Sequence, residues 1–173
     1  MEKTDHINDQ TVLLTALLEA THKDYYSDPE AKKGDIVAGA NATNFSFRNN
    51  GSGIPLEQMV RSLFPMEGES NPMSAYYPIE DLLCADLLEV HSFINKEHAF
   101  VRFEKGKRTL FNIEPDETAP EGILIRIEYH GKVDRLLEPA DVQECMKATS
   151  HPWRPVMFYN GNKVDWYGRI VNK

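Results

Sequence analysis

Arg48-Asn49-Asn50-Gly51-Ser52-Gly53-Ile54-Pro55 reads as a glycine-bearing turn that hands a strand over to a helix. Glycine reaches backbone angles that a Cβ resists, and Asn bonds its own backbone two residues on, so this composition belongs to turns. Pro55 carries a fixed φ and lacks the N–H that a first helical turn leaves unpaired, which predicts a helix from there to about Phe64. Upstream, Asp35-Ile36-Val37-Ala38 and Thr43-Asn44-Phe45-Ser46-Phe47 read as two short strands around Gly39-Ala40-Asn41-Ala42. Phe45 and Phe47 share a face, expected to be the core face.

Working outward, Leu13, Ala16, Leu17 and Ala20 repeat at helical spacing, with Leu14, Leu18 and Thr21 widening the stripe. They predict a helix from about Asn8 to Tyr25, capped by Asp9 or Thr11 and ended by Ser27-Asp28-Pro29. Residues 65–78 form a long irregular stretch with Pro65, Pro72 and Pro78, a length that in a compact domain signals a functional loop. Ile79 to Leu88 reads as a second apolar helix. The period then drops to two: Val90–Asn95, His98–Glu104, Arg108–Glu114 and Gly122–His130 predict an antiparallel meander. Pro139 opens a last helix to about Thr149, and Val156–Tyr159, Asn160-Gly161 and Val164–Tyr167 predict a closing hairpin. The expected fold class is α+β: a two-layer α/β sandwich, mostly antiparallel, with helices on one face and all of 1–173 in a single domain.

The bulk numbers narrow the function classes. The chain has 173 residues, 41% hydrophobic and 27% charged, with a formal net charge of -8, and is long enough to bury a core unaided. An acidic surface repels phosphate backbones and anionic lipid, so neither a specific nucleic-acid partner nor a membrane is expected. Two distant cysteines, Cys84 and Cys145, make neither a disulfide framework nor a zinc site and point to free thiols. The polar start, Met1 to Gln10, has no apolar signal core, and no run approaches the roughly 18 apolar residues of a membrane span. A cytoplasmic location follows as an expectation, or the host cytoplasm for a viral chain.

Asn49-Asn50-Gly51-Ser52-Gly53-Ile54-Pro55 resembles the Asp-Asn-Gly-x-Gly-Ile turn of the GHKL ATPases: DNA gyrase, the heat-shock chaperone, histidine kinases and MutL. The order of elements is also similar to that family's, and within it the phage rIIA-like proteins resemble the chain most, over Phe93–Gly131 and the Pro155–Trp166 hairpin. The resemblance implies a Bergerat-type fold with a lid-like loop at 65–78. It implies a nucleotide site built by Asp24, Asn49, Asn50, Gly51, Gly53 and Ile54, taking ATP or ADP with Mg²⁺ weakly, or no cofactor at all.

Several positions depart from the family pattern. Asn49 stands where the resemblance expects the carboxylate that accepts the adenine amine; an amide oxygen is a weaker, uncharged acceptor. Aligned on Asp24, the first helix places Leu17 and Thr21 where the water-activating Glu and the magnesium-binding Asn are expected. Shifted by one turn, Glu19 supplies an acid but Lys23 takes the Asn position. Asn71 to Pro78 contains no glycine to cradle phosphate, and Ile123 replaces the hydroxyl partner after Gly122. The leading expectation is a degenerate nucleotide-binding domain acting as a binding or regulatory module, with weak or absent ATPase activity and no catalytic or metal residue assigned. Two alternatives stay open: an active ATPase using Glu19 or another acid, and an interaction or inhibitor protein, for example viral, that binds no nucleotide.

Tyr76 and Tyr77 in the long loop are the expected contacts for a protein partner, since paired exposed aromatics are common at interfaces; the alternative is that they pack the lid shut over a vacant pocket. His91 and His98 read as surface strand histidines, and Trp153 in His151-Pro152-Trp153-Arg154 as a plug. Asp24, Asp28, Glu30 and Asp35 read as a solvated acidic loop, and Lys105, Lys107 and Arg108 as a basic hairpin tip.

Overall fold

The structure is a computed structural model, described here for residues 7–27, 34–64, 66–133, 135–149, 155–165 and 170–171. Helix α1 runs Gln10–Ser27, strands β1 and β2 run Ile36–Ala40 and Asn44–Asn49, and helix α2 runs Leu56–Arg61. A 3₁₀ turn at Pro72–Ala75 leads into the short helix α3, Ile79–Leu82. Four strands follow: β3 Leu87–Ile94, β4 Glu97–Glu104, β5 Lys107–Pro115 and β6 Gly122–Glu128. Helix α4, Pro139–Thr149, precedes β7 Met157–Tyr159, β8 Asn162–Val164 and β9 Ile170–Val171.

These strands make a nine-stranded sheet in the order β5-β4-β3-β6-β2-β1-β7-β8-β9. Every pairing is antiparallel except β1 with β7. The alternation read from sequence sets the two faces. Phe45, Phe47, Leu88, Val90, Ala99, Val101, Ile123, Ile125 and Ile127 are buried on one side, in one cluster with Leu13, Leu14, Leu17 and Leu18 of α1 and Val142, Cys145 and Met146 of α4. Fully burying each Val, Leu, Ile, Phe or Met side chain among them stabilises by about 1.5–3 kcal/mol, so the helix stripe and the strand faces reinforce one another. The α+β sandwich expected from the sequence is the fold observed.

Two expectations need correction. The apolar run Ile79–Leu88 is helical only to Leu82, and Leu87 already belongs to β3. The backbone of Asp86 is captured by the sheet, its N–H donating to Glu128 O (3.0 Å) and its carbonyl accepting from Lys105 N (3.0 Å). Bonds to β6 and to the β4–β5 turn outweigh the helical preference of a short apolar run. The four central strands are also not a simple meander: β6 skips β5 and pairs with β3 on one side and β2 on the other. The stretch between Pro115 and Gly122 carries the chain back across the sheet, which puts β6 at its centre.

Local chemistry explains the ends of the elements. Asp9 caps α1, its Oδ1 accepting from Thr11 N (3.0 Å) and Val12 N (3.3 Å), and these bonds hold its pKa below the usual value, the Thr11 side chain contributing most. Gln10, buried at 3% exposure, ties α1 to two loops, accepting from Leu137 N (2.9 Å) and donating to Asn41 O (3.2 Å). Asn160-Gly161, both at positive φ, make the hairpin turn that the sequence predicts. Lys105-Gly106 and Asn95-Lys96 turn the neighbouring hairpins in the same left-handed conformation. Neither Cys84 nor Cys145 forms a disulfide. Among the described residues no helix is long and apolar enough to cross a membrane. The Ser27-Asp28-Pro29 stop beyond Ser27, Glu30, the His151–Arg154 segment, Trp166 and Tyr167 lie outside the described residues.

Candidate functional site

The glycine turn sits between the end of β2 and the start of α2, and the sheet dictates its path. Gly53 has φ +78°, and a Cβ on it would stand 2.9 Å from Ser92 Oγ and 3.2 Å from the carbonyls of Gly122 and Phe93. Ser92, fully buried in β3, clamps the next residue by accepting from Ile54 N (2.8 Å) and donating to Ile54 O (2.7 Å). Ile54 is itself fully buried. Gly122 lies against the other arm of the turn, where a Cβ would meet Asn49 O at 2.0 Å. The turn is therefore pinned to the ends of β3 and β6.

Within this frame Asn49 is completely buried. Its Oδ1 accepts from Gly51 N (3.0 Å) in an Asx turn. A backbone N–H can only donate, so the amide orientation is fixed and Nδ2 faces the other way, donating to Thr21 Oγ1 (3.0 Å) and Tyr77 OH (2.7 Å). The Thr21 hydroxyl donates in turn to Leu17 O (2.8 Å). Tyr77 OH donates to Asp24 Oδ2 (2.9 Å), and the other carboxylate oxygen, Oδ1, accepts from Ser52 N (3.1 Å). Burial, then the charge of Asp24, pushes the Tyr77 phenol well above its usual range, so it stays a donor. Gly51 makes room for this: a Cβ there would lie 2.2 Å from Asp24 Oδ2. Tyr25, also buried, donates to Gly34 O (2.9 Å) and accepts from Asn50 N (3.4 Å).

The structure thus brings together Asp24, Asn49, Asn50, Gly51, Gly53 and Ile54, and adds Thr21, Tyr25, Tyr77 and Ser92. Tyr76 and Tyr77 separate: Tyr76 is 39% exposed, whereas Tyr77 is 2% exposed and lies inside the site. The stretch that carries them is held by reciprocal bonds, Asn71 N to Glu80 Oε2 (3.1 Å) and Glu80 N to Ser74 Oγ (3.0 Å), with Met73 fully buried beneath. Glu19 is exposed on the outer side of α1, in a groove shared with Arg135, Asp141 and Glu144, and is not part of this constellation. Of the two helix alignments, the one on Asp24 is the one whose residues converge on the turn.

The outward face of the sheet carries a second polar arrangement that the sequence did not announce. His91 Nδ1 and His98 Nε2 share a hydrogen bond of 2.8 Å, diagonally across β3 and β4. His98 Nδ1 contacts Glu114 (3.2 Å) and His91 Nε2 contacts Glu89 (3.4 Å). Glu89, 6% exposed, accepts from Arg102 Nη2 (2.9 Å) and Arg126 Nη1 (3.3 Å). Burial raises the Glu89 carboxyl, but the bonds from Arg102 and His91 and the Arg126 charge outweigh it and leave its pKa below the usual value. Among the described residues no group of three or more His, Cys, Asp or Glu is placed to hold a metal ion.

The α/β sandwich of this chain is similar to that of the ATPase region of Saccharomyces cerevisiae topoisomerase II, with a TM-score of 0.59 at 13% identity. The similarity covers 90% of this chain and 47% of that one, so the chain spans about half the length of the topoisomerase region it matches. No protein-family model and no curated protein matches the sequence.

Proposed function

We propose that this chain is a degenerate nucleotide-binding domain of the GHKL type that acts as a binding or regulatory module, with weak or absent ATPase activity. The observation that carries this reading is Asn49. It occupies the turn position where the resemblance implies a carboxylate, yet its Nδ2 is an amide donor already engaged by Thr21 and Tyr77. The shared sandwich with a topoisomerase ATPase region supports the nucleotide half of the reading. The base end of the site fits a nucleotide: Asn49 and Asp24 face one point with opposite hydrogen-bonding character, beside glycines that admit close approach. The magnesium end does not fit. Thr21 offers a neutral hydroxyl whose proton is engaged by Leu17 O, and Leu17 itself is buried hydrocarbon with no acid to activate water.

Isothermal calorimetry with ATP and ADP, with and without Mg²⁺, alongside phosphate release, tests the reading. The expected result is weak heat that is insensitive to Mg²⁺, with no turnover. Turnover lost on Asn49→Ala would establish an active ATPase instead.

A second reading has its own observation. Phe64 (75% exposed), Met66 (70%) and Tyr76 (39%) leave large apolar side chains in solvent around the lid-like segment, as a protein partner's docking site would. Surface cross-linking of the wild-type chain in its native lysate, compared with a Phe64→Ser/Met66→Ser variant, tests it; equal capture would reject it.

A further inference from the structure

The geometry points to Tyr77 as a built-in occupant of the site: we propose that its hydroxyl holds the place of a nucleobase edge and must leave before a nucleotide enters. The proposal rests on the reading above that the site takes a nucleotide, and it concerns how that site is regulated.

The direction of every hydrogen bond in the cluster is forced. Leu17 O and the Asp24 carboxylate only accept, Gly51 N and Ser52 N only donate, and Asn49 Nδ2 only donates. One point between Asn49 and Asp24 therefore requires a group that accepts from one side and donates to the other. The Tyr77 hydroxyl does both, at 2.7 and 2.9 Å. A purine edge offers the same pair: in adenine a ring nitrogen accepts beside an amine that donates, and in a 6-oxopurine a carbonyl accepts beside an N–H that donates. The planar ring of Tyr77, 2% exposed, completes the likeness to a buried base.

The plug is carried by the segment that joins α2 to α3. Tyr77 lies two residues beyond the 3₁₀ turn, and that turn is fastened to α3 by two part-buried polar contacts at Glu80 and to the core by Met73. An internal ligand on a short tether competes at high effective concentration, and a nucleotide that binds only the open form shows an affinity reduced by the fraction open. Weak binding by the intact chain is then a property of the latch and not of the turn beneath it. Tyr77→Phe keeps the ring but strips both partners of their bond in the closed form alone, which shifts the balance toward opening.

The test is calorimetry of the full chain with ATP, comparing wild type and Tyr77→Phe, together with hydrogen exchange over residues 73–83 of the wild type with and without saturating ATP. The expected results are binding at least ten-fold tighter for Tyr77→Phe, and faster exchange over 73–83 when ATP is bound. Equal affinities, or protection of 73–83 by ATP, overturn the latch while leaving the nucleotide reading intact. Heat from neither protein overturns both. The exchange measurement decides the matter on the wild-type chain if Tyr77→Phe does not fold.

Discussion

The α-carbon of Gly122 lies so near the backbone of Asn49 that an added Cβ would stand 2.0 Å from the Asn49 carbonyl oxygen. The first residue of β6 and the last residue of β2 are locked together where the two strands pair, Asn49 opposite Ile123, and the glycine turn begins there. Gly122→Ala combines that clash with a φ of +142°, which an L side chain resists. Steric overlap and backbone strain together predict a loss of about 3 kcal/mol or more, read from urea denaturation. A loss below about 1 kcal/mol would mean that the two strand ends separate easily.

Ser92 makes the same point from the side chain. Replacing it by Ala leaves the N–H and carbonyl of Ile54 buried without their partner. The expected destabilisation is about 2 kcal/mol, with Ser92→Thr less tolerated than its chemistry suggests because Gly53 lies close by. The comparison is again by denaturant midpoint.

Asn49→Asp restores the carboxylate of the family pattern and should harm the closed form. Tyr77 has one proton to offer and would face two carboxylates, while Thr21 loses its donor. A buried, poorly compensated charge predicts a loss of about 2–4 kcal/mol at neutral pH. Burial would raise the pKa of the new carboxyl, so stability should return as pH falls and it becomes neutral. A melting temperature independent of pH relative to wild type would contradict this.

Acid and alkali should act at different places. Glu89 has a folded pKa below its ordinary 4.5, so its stabilising bonds to Arg102 and Arg126 are complete above that pH and lost as pH falls beneath it. Glu89→Gln should flatten stability over that acid range, as followed by thermal melts. At the other end, burial raises the phenols of Tyr25, Tyr77, Tyr129 and Tyr159, with Tyr129 pushed up to about 12. A raised phenol pKa stabilises below the unfolded value of 10 and that contribution is lost as pH climbs toward 12. In a Tyr26→Phe/Tyr76→Phe/Tyr167→Phe chain, ultraviolet titration should show the four remaining tyrosines ionising together with unfolding, and tyrosinate formed near pH 10 with the fold intact would refute it.

Much of this was legible in the sequence because it is local. Period-two alternation marked β3 to β6, Pro139 marked the start of α4, and Asn160-Gly161 declared its hairpin. The glycine turn and Asp24 could be assembled because each has its own signature on its own element. Strand order could not be read, since a meander and a crossover display the same alternation. The helix assigned to Ile79–Leu88 failed because partners for Asp86 come from Glu128 and Lys105, which no local window contains. Tyr77 escaped for the same reason: its hydroxyl meets residues 28 and 53 positions away, Asn49 and Asp24. From sequence its only cue was an aromatic pair in a loop, where one ring of two faces in and nothing local says which.

The parallel pairing of β1 with β7 has a consequence for synthesis. Ile36 to Ala38 find their outer neighbours only at Met157 to Tyr159, and β2 waits for residues 123–128. Half the sheet is thus translated long before the strands that close it. While a ribosome is still making α4, the β1 edge of the β1–β2 hairpin lies open, because its partner β7 has not yet been made. Long-range pairing of this kind folds slowly and leaves sticky edges exposed in the interval. Chains stalled before residue 157 should therefore recruit chaperones or aggregate, and chains released after residue 164 should not.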